Sequence, residues 1–337
     1  MESKTSTGEC QGIWVFVEQQ NGEPARGSLE LLGKSRELAD KLNEPLTAFL
    51  IGKCADKLLD DLIFFGADKV LAADHPLLEL YLTETYCDTI SKQARKDKPA
   101  IILISATPVG RDLAPRLAFR LGAGCTADCT ALDIDATNRL LVSTRPAFGG
   151  NVLATIVCPE ARPQMSTVRP GVFELPKKDV LRRGEVVRLN VDLDETQITV
   201  RIREVREADA VGPDIQEAKR IIAVGMGVGD QETLGMIKEL AALIGAEIGA
   251  SRRAVETGWI SHDYQVGQTG KTVRPDLYVA CGISGAIQHT AGMASAKLVI
   301  AINSNPRAEI FKVADYGIVA RLTDIIPAVI SEVRKRQ

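Results

Sequence analysis

The sequence predicts two parallel α/β domains, with additional antiparallel strands in the first. Short runs of β-branched and aliphatic residues alternate with segments of helical length whose apolar residues recur at helical spacing. This alternation occupies the first part of the chain and starts again after residue 220. Strands that alternate with helices form parallel sheets covered on both faces. The first part therefore predicts a Rossmann-like domain, and the second a smaller doubly wound domain.

The first domain begins with the strand GIWVFVEQ, followed by the helical pattern LELLGKSRELADKLN. Three further buried strands are predicted in LTAFLIG, KVLAAD and AIILISA, separated by amphipathic segments of helical length. The last of them ends near Thr107-Pro108, and VGRDLAPRLAFRLG then predicts a helix.

After Gly124 the pattern changes to an alternation of apolar and polar residues at period two. It predicts antiparallel strands in ALDIDATNRLLVSTRP, NVLATIVCP, VVRLNVDL and QITVRIREV. The stretch from Arg145 to Gly171 is interrupted by Gly, Pro and Arg but retains apolar residues, which predicts ordered loops. We assign residues 1–206 to this domain.

A polar segment with a Gly-Pro pair, residues 207–220, predicts a linker to the second domain, residues 221–337. That domain has predicted strands in RIIAVGMG, DLYVACGIS, KLVIAIN and YGIVAR. Helices are predicted from Gln231 to Ile244, through Gln288, and at the carboxyl terminus.

Composition excludes several classes of function. The formal charge of −3, with both signs interspersed, gives no basic patch for nucleic acid. Apolar runs are far shorter than the roughly 20 residues that span a bilayer. The polar amino terminus lacks a signal-peptide core, which predicts a cytoplasmic protein without membrane insertion. Cys125 and Cys129 lack companion ligands, so we expect neither a metal site nor, with seven scattered cysteines, a disulfide framework.

Polar or glycine-rich segments follow the successive strands of the second domain. In a parallel sheet such segments meet at one edge, where α/β proteins bind ligands. A strand-to-helix glycine turn favours phosphate, and an arginine after a strand can pair with phosphate or lie over an aromatic ring. The candidate residues are Gly225, Met226, Gly227, Ser251, Arg252, Gln265, Val266, Gly267, Gln268, Thr269, Gly270, Ser284, Gly285, Ala286, Ile287, Gln288, His289, Asn303 and Asp315.

Acid–base motifs are missing from the sequence. It contains no G-x-S-x-G and no H-E-x-x-H pattern, and His262-Asp263 lacks a nearby nucleophile. This favours a protein whose cofactor performs the chemistry, without catalytic residues of its own.

Two long segments resemble the α subunit of electron transfer flavoproteins. They are SRRAVETGWISHDYQVGQTGKTVRPDLYVACGISGAIQHTAGM (251–293) and AINSNPRAEIFKVADYGIVA (301–320), and RPAFGGN and CTADCTALDID look like the same family. The resemblance implies a heterodimer with a β subunit that contacts the first domain, and one FAD held mainly by the second domain. It also implies that Arg252 lies against the flavin ring, Thr269 near N5 and His289 near O2. The ring, the ribityl chain, the diphosphate and the adenosine would be held by Ser251, the Gly267–Gly270 loop, Ser284 through Gln288, and Asn303.

Two positions depart from the family pattern. The glycine turn usually contains arginine where Met226 stands, and Ala320-Arg321 replaces a usual Ala-Asp pair. Our hypothesis is that Arg321 supplies the cation that Met226 cannot provide.

Four functions remain open at this point, one of them a nucleotide-sensing binding module, since the fold of the first domain alone suits adenine nucleotides. The resemblance implies a carrier that moves electrons between a flavin dehydrogenase of the acyl-CoA dehydrogenase type and a further redox partner. An alternative is a bifurcating complex, which uses NADH and ferredoxin through the β subunit and reduces an enoyl-CoA-type acceptor. A third is an NAD-dependent dehydrogenase, for which Glu247 stands near the position of a ribose-binding acid.

Overall fold

The computed structural model describes residues 10–20, 22–147, 152–193, 195–205, 214–216 and 218–336. These residues divide into two compact units, one of 10–147 with 152–205 and one of 214–336. Most of the predicted linker, and residues 148–151 of the predicted loop RPAFGGN, lie outside the described residues. Ile215 is fully buried in the second unit, so the described end of the predicted linker belongs to that unit.

The first unit is built on a seven-stranded parallel sheet of order β12-β5-β4-β1-β6-β11-β7. Apolar clusters cover both faces of this sheet, as the uninterrupted apolar strands require. The strands are β1 (Ile13–Val17), β4 (Leu46–Ile51), β5 (Lys69–Ala73), β6 (Ile101–Ser105), β7 (Cys125–Cys129), β11 (Gln164–Val168) and β12 (Glu185–Arg188). The helices are α1 (Arg26–Leu42), α2 (Asp56–Phe64), α3 (Thr83–Asp97) and α4 (Pro108–Leu121).

Two small antiparallel sheets complete the first unit. One is the predicted three-stranded addition, β8 (Ala131–Asp135), β9 (Leu140–Ala147) and β10 (Val152–Ile156). The other is a short pair, β2 (Gln19–Gln20) and β3 (Glu23–Pro24). The predicted fold class, a parallel domain with added antiparallel strands, is confirmed.

Three predictions of individual strands in the first unit were wrong. VVRLNVDL contains β12, but this strand pairs in parallel with β5 at the sheet edge. QITVRIREV forms no strand within residues 195–205, where Val200 and Val205 are exposed. The segment from Arg145 to Gly171 is not only loop, since it contains β11 in the parallel sheet.

The second unit has a five-stranded parallel sheet of order β14-β13-β15-β16-β17. Its strands are β13 (Arg220–Val224), β14 (Glu247–Ala250), β15 (Leu277–Cys281), β16 (Val299–Asn303) and β17 (Tyr316–Val319). Its helices are α5 (Gln231–Ile244), α6 (Arg252–Glu256), α7 (Ile287–Thr290) and α8 (Leu322–Arg336). The strand order reverses between β13 and β15, and doubly wound sheets bind ligands outside the carboxyl ends of strands at such a point. Among the described residues, no helix combines the length and apolar character that a bilayer crossing requires.

Candidate functional site

A cavity of about 650 Å³ lies at the carboxyl edge of the second unit's sheet, where its parallel strands end. The loops after β13, β14, β15 and β16 form it, so it includes the point where the strand order reverses. It is lined by Gly225, Met226, Gly227, Ser251, Arg252, Arg253, Gln265, Val266, Gly267, Thr269, Gly282, Ile283, Ser284, Ala286, Gln288, His289, Asn303, Asn305 and Ala308.

Most of the candidate residues predicted from the sequence line this cavity. The residues that do not are Gln268, Gly270, Gly285, Ile287, Asp315 and Arg321. Gln268, Gly285 and Ile287 stand between lining residues in the same loops, and Gly270 directly follows Thr269. Sequence reasoning did not select Arg253, Gly282, Ile283, Asn305 and Ala308. The signal for Arg253 was its position beside Arg252, directly after a strand.

The structure places Asp315 away from the cavity. Asp315 precedes β17, so it lies at the amino end of its strand, and its Oδ2 accepts a 2.8 Å hydrogen bond from the backbone N–H of Val299. Val299 begins the neighbouring strand β16. Asp315 therefore joins the starts of two strands and does not line the cavity.

The glycine turn after β13 does not present its glycine N–H groups to a ligand. The N–H of Gly225 donates to Cys281 O at 2.9 Å, and that of Gly227 donates to Gly282 O at 2.9 Å. A Cβ on Gly225 or Gly227 would collide with the backbone of Gly282. These glycines therefore allow two loops to pack together, and the prediction that their N–H groups bind phosphate was wrong.

The start of α5 is also occupied by the protein. The carboxylate of Asp230 accepts a 2.7 Å hydrogen bond from the backbone N–H of Thr233, which caps the helix. This bond holds the pKa of Asp230 below its usual range. The helix end that the sequence suggested for an anion is therefore neutralised internally.

The loop that opens α7 has free backbone donors. Within the described residues, the N–H groups of Ser284, Gly285 and Ala286 donate to no protein acceptor. Gly285 has φ of +88°, and a Cβ there would collide with the backbone of Ile310, so only glycine fits. Asn303 supports this loop by donating from Nδ2 to Ile283 O at 2.9 Å. Consecutive unpaired N–H groups of this kind can bind a phosphate oxygen.

The loop of Gly267–Gly270 differs from it, because the N–H groups of Gly267, Gln268 and Gly270 already donate to protein carbonyl oxygens. Gln268 N–H donates to Gln288 O at 2.7 Å, and Gly267 N–H donates to Lys271 O at 3.1 Å. The buried amide of Gln265 donates from Nε2 to Thr269 Oγ1 at 2.9 Å. The Thr269 hydroxyl thus accepts from Gln265 and keeps its own hydrogen for a ligand.

Two arginines give the cavity its positive charge. Arg252 forms an i,i+4 ion pair with Glu256, at 2.8 Å between Nε and Oε1. Arg253, the next residue, has no ion pair within the described part of the chain. Its guanidinium is therefore the less compensated of the two and can pair with a ligand anion.

His289 is a buried part of the cavity wall. Its Nε2 lies 2.9 Å from the hydroxyl oxygen of Tyr278, and its Nδ1 is buried without a hydrogen-bond partner. Burial lowers the pKa of His289 to about 4, and the backbone of Val266 opposes this shift. The imidazole is therefore neutral at physiological pH.

Comparison with known proteins gives the family. Residues 13–194 match the model of the electron transfer flavoprotein domain, and residues 214–294 match that of the electron transfer flavoprotein FAD-binding domain. The chain belongs to the electron transfer flavoprotein α-subunit family. The α subunit from Thermoanaerobacterium thermosaccharolyticum is 52% identical over 97% of this chain and 99% of its own length. The resemblance inferred from residues 251–293 and 301–320 is therefore confirmed.

Two further relatives of similar sequence have different names. The lactate dehydrogenase (NAD(+),ferredoxin) subunit LctC of Acetobacterium woodii is 41% identical over 95% of this chain and 76% of its own length. The acryloyl-CoA reductase electron transfer subunit beta of Anaerotignum propionicum is 39% identical over 96% of this chain and 95% of its own length. Both names describe redox proteins with several subunits.

The structure weakens two further predictions, that Arg321 replaces the missing cation and that Glu247 binds a ribose. Arg321 follows β17 at the sheet edge, does not line the cavity, and pairs with Asp324 at 3.1 Å. Glu247 begins β14, so it lies at the opposite edge from the cavity, and Ser251 and Arg252 follow that strand. A ribose-binding acid would need to stand at the carboxyl end, so the argument for a nicotinamide dehydrogenase loses its support.

Proposed function

We propose that the chain binds one FAD in the cavity of the second unit and acts as the α subunit of a heterodimeric electron carrier. The observation that supports this most directly is the combination, in one cavity, of unpaired N–H groups at 284–286 with the guanidinium of Arg253. These groups suit a diphosphate. FAD supplies the electron transfer when it is bound, and the chain supplies binding, orientation and electrostatics.

The hydrogen-bond donors and cations of the cavity suit the diphosphate and the flavin ring of FAD. Residues 284–286 would hold the diphosphate, and Asn303 and Asn305 lie beside this loop. Arg252, the Thr269 hydroxyl and His289 would face the flavin ring. A guanidinium and neutral hydrogen-bond donors stabilise negative charge, so these residues would favour the reduced ring over the oxidised ring.

The first unit supports pairing with a second chain. Leu153 on β10 is 66% exposed, and Val200 and Val205 are 54% and 62% exposed. We infer that these exposed apolar residues contribute to a surface that contacts a second chain. The electron transfer flavoprotein β subunit is the proposed partner, and a flavoenzyme of the acyl-CoA dehydrogenase type is the proposed electron donor.

Counting released flavin tests this proposal. The chain would be purified with its β subunit, and the FAD released on denaturation would be measured for wild type and Arg253→Ala. We expect stoichiometric FAD in the wild type and weaker binding in the variant. Lys297→Ala provides a matched control, because Lys297 pairs with Asp276 outside the cavity. A wild-type complex that binds no FAD after reconstitution would refute the proposal.

A bifurcating complex is the second candidate, favoured by the similarity to a subunit named for NAD(+) and ferredoxin. In that case the β subunit would bind a further FAD and oxidise NADH, with ferredoxin and an enoyl-CoA-type compound as acceptors. Two FAD per heterodimer and NADH-driven reduction of ferredoxin would establish this function. One FAD and no such activity would favour the simple carrier.

A further inference from the structure

The hydrogen bond between Tyr278 and His289 joins the cavity wall to the core of the second unit. Tyr278 lies on β15 with 0% exposure, and His289 is 6% exposed. The Tyr278 hydroxyl and Nε2 of His289 are 2.9 Å apart. The Tyr278 hydroxyl forms no other hydrogen bond within the described residues, and the backbone of Val266 also interacts with the His289 ring.

Counting protons determines which group donates. If Tyr278 donates to Nε2, the neutral imidazole carries its proton on Nδ1, and only this Nδ1–H lacks a partner. If Nε2–H donates to Tyr278, the phenol hydrogen and the Nδ1 lone pair both lack partners. Each buried polar group without a partner costs about 1–3 kcal/mol. The first arrangement leaves fewer such groups and is favoured.

We propose that Tyr278 is a positioning residue that fixes His289 as the Nδ1–H tautomer, so that the ring offers the bound flavin a permanent hydrogen-bond donor. This rests on the proposed binding of FAD in the same cavity. Tyr278 itself does not line the cavity and acts only through His289. Because the phenol is held by β15 in the core, the donor is present before any ligand arrives.

The surroundings keep both groups uncharged. Burial raises the pKa of Tyr278 well above its usual value, with a further contribution from Cys281. The Cys281 thiol is itself buried, and burial raises its pKa to about 12. No carboxylate hydrogen-bonds to His289 in the described part of the chain. The tautomer is therefore set by the hydrogen bond and not by an ion pair.

Nitrogen NMR tests the tautomer directly. The chain contains only three histidines, His75, His262 and His289, so a complex in which this chain alone carries ¹⁵N-histidine gives few signals. We expect protonated Nδ1 and hydrogen-bonded, unprotonated Nε2 for His289, with Nδ1 moving when FAD binds. Tyr278→Phe keeps the ring and removes the hydroxyl, and should shift both His289 nitrogens toward a tautomer mixture. A wild-type His289 protonated on Nε2 would overturn the proposal.

The potential of the bound flavin gives a second readout, which a purely structural role would not change. Losing the fixed donor should weaken the preference for reduced over oxidised FAD about tenfold, which lowers the two-electron midpoint potential by about 30 mV. Tyr86→Phe is the matched control, since its buried hydroxyl donates to Leu78 O at 3.0 Å in the first unit. The control should leave the potential unchanged.

The two proposals fail in different ways. Wild type without FAD would contradict the proposed function, whereas the tautomer could still be measured in the ligand-free chain. Tyr278→Phe that binds FAD stoichiometrically at an unchanged potential, with His289 unshifted, would leave the proposed function intact and refute the role of Tyr278. If the Tyr278→Phe variant fails to fold, the NMR measurement on the wild-type protein is sufficient to decide the tautomer.

Discussion

The two units use the carboxyl edges of their parallel sheets in opposite ways. In the first unit, two pairs of polar side chains at this edge bond to each other. Thr107, which caps α4, donates its hydroxyl to Glu18 after β1, and burial raises the pKa of that carboxyl. The buried guanidinium of Arg169, after β11, pairs with Asp128 at 2.5 Å. At the corresponding edge of the second unit, the N–H groups of residues 284–286 and the guanidinium of Arg253 have no protein partner within the described residues.

The difference shows that binding capacity does not follow from the α/β topology itself. Both sheets are parallel and both carry helices after their strands, which is the arrangement that places ligands at this edge. What distinguishes the second unit is the set of loop groups that lack internal acceptors, the N–H groups of 284–286 and the guanidinium of Arg253. Function therefore resides in the loops and not in the sheet.

The largest expected effect comes from a substitution in the loop of residues 284–286, which opens α7 in the second unit. Gly285→Val introduces a side chain at φ of +88° that collides with the backbone of Ile310. We expect at least about a 100-fold loss of FAD affinity, because the loop must move to relieve the collision. Flavin absorbance of the purified complex measures this. Gly235→Ala is the control, since nothing lies near its Cβ position, and equal FAD content in both variants would contradict the prediction.

The second prediction is that the stability of the second unit depends on pH through His289. Because the pKa of His289 falls from 6.5 to about 4 on folding, the unfolded chain binds a proton that the folded chain excludes. The second unit should therefore lose about 2 kcal/mol of stability between pH 7 and pH 5. In a Trp14→Phe background, Trp259 fluorescence during urea unfolding reports on the second unit. His289→Gln should reduce this pH dependence, and an equally steep dependence would show that His289 is not responsible.

The charges around the cavity provide a third comparison. Met226 is 42% exposed in the cavity wall, so Met226→Arg would add a cation there and should strengthen FAD binding several-fold. Arg253→Ala should weaken FAD binding about tenfold, because one charge-assisted hydrogen bond is lost.

Arg321→Ala should leave FAD binding unchanged, because Arg321 pairs with Asp324 away from the cavity. Titration of the ligand-free complex with FAD measures all three, and weaker binding in Arg321→Ala would restore the hypothesis that Arg321 replaces the missing cation.

The smallest expected effect concerns the carboxyl edge of the first unit's parallel sheet, where Thr107 bonds to Glu18. Thr107→Ala removes the helix cap to Gly110 N–H, at 3.0 Å, and the hydrogen bond to Glu18. It should cost about 1 kcal/mol of stability in the first unit. In a Trp259→Phe background, Trp14 fluorescence during unfolding measures this loss. FAD content should not change, and a loss of flavin would mean that the first unit's edge contributes to the site.

Sequence periodicity predicted most of both folds, and it failed where polar residues are buried. β11 reads QMSTV and stands in the stretch predicted as ordered loops, yet all five of its residues are buried. Gln164 accepts from Leu141 N–H at 2.8 Å, and Ser166 and Ser143 hydroxyls lie 2.7 Å apart. These partners stand on β9, more than 20 residues away in sequence. No local pattern can show that a buried polar group has such a partner.

The candidate site was predicted best where residues end strands and worst where they begin them. Ser251, Thr269, His289 and Asn303 follow strands and line the cavity, whereas Asp315 precedes one and lies elsewhere. Which donors are free could not be predicted, because that depends on contacts between loops. QITVRIREV shows the converse problem, since its alternation is typical of a strand but it pairs with no strand within the described residues.

The packing of Gly225 and Gly227 against Gly282 has a consequence for motif searches. A pattern written around the glycines of this turn selects chains in which two loop backbones touch, whatever those chains bind. Replacing any of the three glycines would separate the ends of β13 and β15 and open the floor of the cavity. A search for relatives that bind the same ligand should instead require the glycine at position 285 together with the histidine four residues later.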